Sequence, residues 1–272
     1  MTIARVFPRK TKATPDDALA FTGPPPKGID GIDEVHISVA FSYDLPKAES
    51  LAEAWHKTGV PVRMGGPALG QPGGDFVPGM YLKQGYVITS RGCNNKCWFC
   101  SAWRREGPLR ELAVTDGHII QDDNLLACSE SHIRAVFDML MRQREKPMFT
   151  GGLEARLLKA WHVDLFQKSK THRMYFAYDT PDDYEPLVAA GKTLRAGNIT
   201  DIRKTACYVL IGYQGDTFEA AEQRLVAAIN AGFWPFSMLY KSENGETNTD
   251  WRQFHRQWCN PWIVGTTIKK MC

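Results

Sequence analysis

Three of the seven cysteines fall within eight residues, in the run TSRGCNNKCWFC at 89–100. Cys93, Cys97 and Cys100 stand at C-x3-C-x2-C spacing. Thiolates are soft ligands that hold zinc or iron–sulfur clusters. Spacing this close lets one loop wrap a compact ion or cluster. Three thiolates would fill three corners of a four-iron cube and leave the fourth iron open to an outside ligand. The alternative is a zinc ion completed by a distant residue such as Cys128 or His118. Zinc sites usually pair C-x2-C knuckles, and this chain has no second knuckle.

A loop of this kind needs elements to carry it. The run follows an apolar segment at 85–90 (GYVITS), which reads as a strand. From there strand patterns recur at 118–121, 147–151, 173–178, 206–212 and 232–239, with helical patterns between them. Ile133, Val136, Phe137, Leu140 and Met141 form one helical stripe, and Leu157, Leu158, Trp161 and Leu165 form another. Thr180-Pro181-Asp182-Asp183 reads as a helix start: a cap, a first-turn proline, and acids at the positive end of the helix dipole. Asp216 or Thr217 opens the next helix, whose inward residues are Phe218, Ala221, Leu225 and Ala228. Six strand–helix repeats predict an α/β fold, a partial (β/α)6 TIM barrel. A full barrel needs eight repeats.

Ahead of these repeats, residues 1–33 read as an extended arm, because Gly23-Pro24-Pro25-Pro26 forbids regular structure. Residues 34–66 read as a small β-α-β unit, and the glycine- and proline-rich stretch that follows reads as a linker. The expected division is an arm at 1–33, a Rossmann-like remnant and linker at 34–80, the barrel at 81–241 and a helical tail at 242–272. Composition sets outer bounds. The chain has 272 residues, 43% of them hydrophobic, so it can bury a sizeable core. Its 33 basic and 30 acidic residues leave a formal charge of +3, which does not advertise a nucleic-acid surface. No 18-residue apolar run and no apolar leader is present, so the expectation is a cytoplasmic protein without a membrane partner.

The C-x3-C-x2-C run, with an aromatic residue (Phe99) just before its last cysteine and a six-fold βα series around it, resembles the radical S-adenosylmethionine (SAM) superfamily. The entering Ser-Arg-Gly-Cys is similar to the branch that contains cobalamin-dependent enzymes and methylthiotransferases. The resemblance covers about residues 81–240. It implies that Cys93, Cys97 and Cys100 each ligate one iron of a [4Fe–4S] cluster whose open iron chelates SAM. Reductive cleavage of SAM would then give a 5′-deoxyadenosyl radical, which abstracts hydrogen from a substrate the sequence does not name. An electron donor such as flavodoxin or ferredoxin is implied. Phe99 would lie beside the adenine; packing in the core is its other reading.

In a parallel barrel ligands bind at the C-terminal ends of the strands. The family often has Gly-Gly-Glu after its second strand to hold the methionine amino group. This chain has Gln121-Asp122-Asp123-Asn124 instead, so Asp122, Asp123 or Asn124 would substitute, or would form an Asx turn. After the third strand, Gly151 and Gly152 would allow close approach, and Glu154 and Arg156 would hold ribose hydroxyls and the SAM carboxylate, or would form a helix-start charge pair. Tyr178 and Asp179 follow the fourth strand; Asp179 serves the next cap in the plainer reading. Gly212 lies in the fifth-strand glycine region that packs on adenine, and Lys241 reads better as an exposed lysine than as a substrate contact. An auxiliary cluster would need Cys128, Cys207, Cys259 and Cys272, which lack tight spacing. The short 34–66 unit has no Asp-x-His-x-x-Gly run, and His36 and His56 read as structural. Both points weigh against cobalamin, which stays the lesser option. Arg104, Arg105 and Arg110 beside Trp103 would suit phosphates but read better as a solvated face, and a nucleic-acid partner is left open. Trp251, Trp258 and Trp262 in the tail read as packing.

Overall fold

Parallel strands need long crossovers, and the chain supplies them twice. The computed structural model describes residues 1–242 and 245–271. The chain divides into two compact units, Met1–Gly117 and His118–Cys272. Both are α/β with parallel sheets.

In the first unit, β1 (Ile3–Val6), β2 (Ala20–Phe21), β3 (Glu34–Ser38) and β4 (Val62–Gly65) form a parallel sheet in the order β2-β1-β3-β4. The helix α1 (Leu45–His56) carries the chain from β3 to β4, with Pro46 in its first turn. Its Ala48, Leu51 and Trp55 are buried with Ala4, Val6, Val35, Ile37 and Val39. The extended arm expected at 1–33 is corrected here, because β1 is an interior strand. Its register partner is Glu34, opposite Ile3. A four-residue strand whose partner lies some thirty residues on leaves little local pattern. Three short elements follow: β5 (Tyr86–Val87), β6 (Ser90–Arg91) and β7 (Arg110–Glu111), with α2 (Ala102–Glu106) before the last. The single strand expected at 85–90 is thus two. Ser90 and Arg91 pair antiparallel with Glu111 and Arg110.

In the second unit, β8 (Ile119–Ile120), β9 (Met148–Leu153), β10 (Arg173–Ala177), β11 (Thr205–Ile211) and β12 (Trp234–Leu239) lie parallel in sequence order. The crossovers are α3 (Glu130–Arg142), α4 (Ala160–Lys168), α5 (Tyr184–Ala196) and α6 (Phe218–Asn230). Of these, α3, α5 and α6 start with a capping device, and those at Thr180 and Thr217 are the ones the sequence predicts. Ser129 Oγ accepts from His132 N at 3.2 Å, and Thr217 Oγ1 accepts from Ala220 N at 3.2 Å. Asp183 accepts from Thr180 N at 2.9 Å in the expected capping box. On α3 the expected stripe is buried except for Met141, whose place is taken by Met139. Phe218 of α6 is likewise exposed, against expectation. The tail forms α7 (Thr249–Cys259) and α8 (Pro261–Met271), with Pro261 opening the second helix. Among the described residues no helix is long and apolar enough to cross a membrane, and no closed barrel forms.

Phe137, Phe149 and Phe166 tie α3, β9 and α4 together, with ring centroids 5.1–5.4 Å apart and all three fully buried. Phe149→Ala should cost about 3–5 kcal/mol of stability, read by urea unfolding. A loss under about 1 kcal/mol would show that this aromatic cluster is not the centre of the unit's core.

Candidate functional site

The thiol loop belongs to the first unit. It leaves β6 and returns at β7, so the antiparallel pairing of Ser90–Arg91 with Arg110–Glu111 closes its base. Gly92 turns the chain into the loop at φ +82°, where an added Cβ would sit 2.3 Å from the Pro108 carbonyl oxygen. Cys93 N donates to Gly107 O at 3.3 Å, and Leu109 N donates to Asn94 Oδ1 at 3.3 Å. Deeper in the loop, Cys100 N donates to Cys97 O at 3.2 Å and Trp103 Nε1 donates to the same oxygen at 3.0 Å. Phe99 stands edge-on to Trp98, ring centroids 5.4 Å apart.

Cys93, Cys97 and Cys100 are all half-buried, and Asn95 N lies 3.4 Å from Cys93 Sγ as a donor. Backbone N–H groups aimed at a cysteine sulfur stabilise its thiolate. The loop therefore fits a soft metal or a cluster in donor type, in backbone support and in partial shielding. Among the described residues no three acidic, histidine or cysteine side chains converge on one point.

Arg105 and Arg110 are not the solvated face that the sequence suggests. Both grip Glu106, whose side chain is 2% exposed. Arg105 Nε and Arg110 Nη2 each donate to its carboxylate at 2.9 Å, and Gly73 N donates at 3.0 Å. Arg91 stands 3.8 Å off. Burial alone would push the Glu106 carboxyl up; the bonds from Arg105, Arg110 and Gly73 outweigh it and hold the carboxyl below its usual range. Arg104 instead donates to Trp98 O at 3.3 Å. Sequence reasoning missed Glu106. Its one signal is an acid four residues before Arg110 within an arginine cluster.

The remaining candidates lie in the second unit. Gly151 and Gly152 fall within β9, not after it, and the register against β10 shifts there. A Cβ on Gly151 would meet the Asp122 carbonyl oxygen at 2.0 Å, so this glycine serves the approach of one chain segment to another. Asp122 and Asn124 are buried and Asp123 is half-buried; the Asn124 side chain does not cap the turn after it. Arg156 donates to Asp183 Oδ1 at 3.0 Å and Asp182 O at 2.9 Å, and lies 3.6 Å from Glu154. That is the charge pair at a helix start, extended to the acids that open α5.

Tyr178, Asp179 and Gly212 come together at the C-terminal ends of β10 and β11. β10 pairing stops at Ala177, and two residues beyond its partner the backbone of Leu210 is taken by side chains. Asp179 Oδ1 accepts from Leu210 N at 2.9 Å, and Arg224 Nη2 donates to Leu210 O at 3.0 Å. Asp183 does the capping, so Asp179 does not serve the cap. Asp216 Oδ2 accepts from both Arg224 Nη2 and Gly212 N, each at 2.8 Å. Trp251 covers Gly212, and a Cβ there would lie 3.1 Å from the indole. Arg224 was missed in the sequence. It flanks the buried stripe Ala221, Leu225, Ala228, where a charge is out of place.

The other cysteines sit on separate elements. Cys128 and Cys207 are buried, and burial pushes the Cys207 thiol well up. Cys259 contacts Ser237 and His255, and Cys272 lies outside the described residues. His36 is engaged by Tyr81 at 2.6 Å and Glu34 at 3.3 Å, which leaves it structural, as the sequence suggests. No protein-family model and no curated protein matches the chain.

Burial pushes the Asp179 carboxyl up to about 7, although the Leu210 bond and Arg224 oppose it. The folded chain therefore keeps a proton that the unfolded chain releases near about pH 4. Its contribution favours folding below that point and is lost as pH rises through about 7. Between about pH 5 and about pH 8, wild type should lose roughly 1–3 kcal/mol more stability than Asp179→Asn. Parallel urea-unfolding profiles across that range would remove the raised carboxyl.

Proposed function

We propose that the chain is a radical SAM enzyme, with Cys93, Cys97 and Cys100 as the ligands of a [4Fe–4S] cluster. The observation that carries this reading is one loop bearing three half-buried thiols, closed at its base by β6 and β7. In the second unit the strands run parallel in sequence order, and the reading takes them as the wall of a partial (β/α)6 barrel. Strand order supports this, since a doubly wound sheet reverses its order at a switch point and this one does not.

The cluster and SAM would supply the radical chemistry, by one-electron cleavage of the sulfur–C5′ bond. The chain's own residues supply ligation, orientation and exclusion of solvent. The half-buried loop shields its sulfurs in part, and Phe99 is the aromatic the reading sets beside adenine. In the second unit, Asp122, Asp123 and Asn124 remain the proposed holders of the SAM amino group, and Glu154 of a ribose hydroxyl. Arg156 is committed to Asp183, which weakens its share in holding the carboxylate. An electron donor such as flavodoxin or ferredoxin, and a cytoplasmic location, belong to the same reading. The proposal stops at hydrogen abstraction from an unnamed substrate.

A structural zinc without catalysis is the second reading. The antiparallel closure of the loop favours it, because a short ribbon can brace a structural metal as well as a catalytic one. One experiment separates the two. Protein is purified without oxygen, assayed for iron and zinc, reconstituted with iron and sulfide, and given dithionite and SAM. Wild type should form 5′-deoxyadenosine, and Cys97→Ala should fall to the no-enzyme background. Bound zinc without iron, and no product, would overturn the enzyme.

A further inference from the structure

The N-terminal edge of the second unit's sheet, opposite the edge that carries Tyr178, Asp179 and Gly212, holds a cavity of about 440 Å³. Three helix-to-strand returns reach it in turn, and each brings a lysine. Lys146 lies two residues before β9, Lys170 three before β10 and Lys204 one before β11. The floor is apolar, with Phe166 and Met174 each 1% exposed. His172, Asn198 and Thr200 add hydrogen-bonding groups to the wall. Asp201 is the one acid on the lining. Its carboxylate accepts from Arg203 Nε at 3.0 Å and Arg203 Nη2 at 3.2 Å, and it also feels the charge of Lys204.

The backbone beneath two of the lining residues is unusual. α4 and α5 end in the same motif. Lys170 N donates to Gln167 O at 2.9 Å and Thr171 N to Phe166 O at 3.0 Å. Asn198 N donates to Arg195 O and Ile199 N to Leu194 O, each at 2.9 Å. Such a motif puts one residue in the left-handed region, usually glycine and sometimes asparagine. Here the two are Lys170 at φ +54° and Asn198 at φ +61°. Among the described residues no other non-glycine residue has a positive φ, and both of these line the cavity. A lysine is strained where glycine would not be, and strain of this kind gathers at functional sites. A cation is also favoured at a helix C-terminus, but only within the last turn. That accounts for Lys170. Lys146 lies four residues past α3 and Lys204 eight past α5, so the helix dipole does not account for their place on the same cavity.

We propose that this cavity binds a small organic phosphate with two or more negative charges, through Lys146, Lys170 and Lys204. Lysine offers a point charge with three rotatable donors, which suits a phosphate oxygen approached from any side. Among the described residues no arginine lines the cavity to clamp a planar carboxylate. The volume suits a ligand of metabolite size. The apolar floor would carry the organic part, and excludes water that would otherwise screen the lysines from below. The inference stands apart from the radical SAM reading, since none of these residues belongs to the thiol loop.

The test uses the full chain in phosphate-free buffer at fixed ionic strength, as wild type, Lys170→Gly and Lys204→Gln. Pyrophosphate and citrate are titrated by calorimetry, and stability is read by urea unfolding. Wild type should bind pyrophosphate several-fold more tightly than citrate. Each variant should bind pyrophosphate about ten-fold more weakly. Lys170→Gly should still fold at least as stably as wild type, because glycine adopts φ +54° without a steric penalty. A lysine kept only to end the helix would show the reverse, lost stability with binding unchanged. A wild type that does not bind pyrophosphate, variants that bind it as wild type does, or citrate bound equally well would each overturn the inference.

Discussion

A parallel strand cannot be reached from its neighbour by a tight turn; the chain must cross the sheet, and it does so through a helix. Most of the second unit follows from this constraint. β8 to β12 run in sequence order because each crossover sets the next strand beside the last. All the strand ends of one polarity then gather along one edge. Tyr178 and Asp179 lie there beside Gly212's strand end, some thirty residues away in sequence, because both follow the C-terminal end of a strand in the repeat. The same constraint explains the burial of the other face. Each crossover helix must lay an apolar stripe on the sheet, and Phe137 and Phe166 do so from either side of Phe149.

The thiol loop obeys a different rule. It is short and held by a two-residue antiparallel ribbon, which cannot be stable by itself. Something else must hold its ends, and Glu106 does so with side-chain and backbone donors. Polar fastening suits a loop rich in cysteine and asparagine.

How far the sequence could be read follows from which interactions are local. The thiol spacing, the helix starts at Thr180 and Thr217, and the buried part of the α6 stripe (Ala221, Leu225 and Ala228) are local, and each is visible in a few residues. β1 was not visible, because its pairing with β3 spans the whole first segment and its four residues carry no period of their own. Gly151 and Gly152 looked like a ligand-binding turn, since glycine signals close approach without saying to what. The structure answers with the Asp122 carbonyl. The arginines near the thiols looked solvated because Glu106 is a single acid among them. Only the fold shows that its carboxylate is buried and that they converge on it.

Glu106 and Asp179 show how environment, not residue type, decides what a buried acid can do. Both lose water on folding. Glu106 gains two arginine contacts and a backbone N–H, so it stays charged and spends that charge on fastening. Asp179 gains one backbone N–H from Leu210, while Arg224 turns its own guanidinium to Asp216 and Leu210 O. That leaves Asp179 able to hold or release a proton near neutral pH. A carboxyl of this kind at the C-terminal edge of a parallel sheet has the acid–base range a catalytic site uses. A carboxylate clamped by arginines has lost that range and keeps only its field. In this chain the buried acid whose carboxyl is raised and the buried acid held charged by arginines are therefore different residues on different elements.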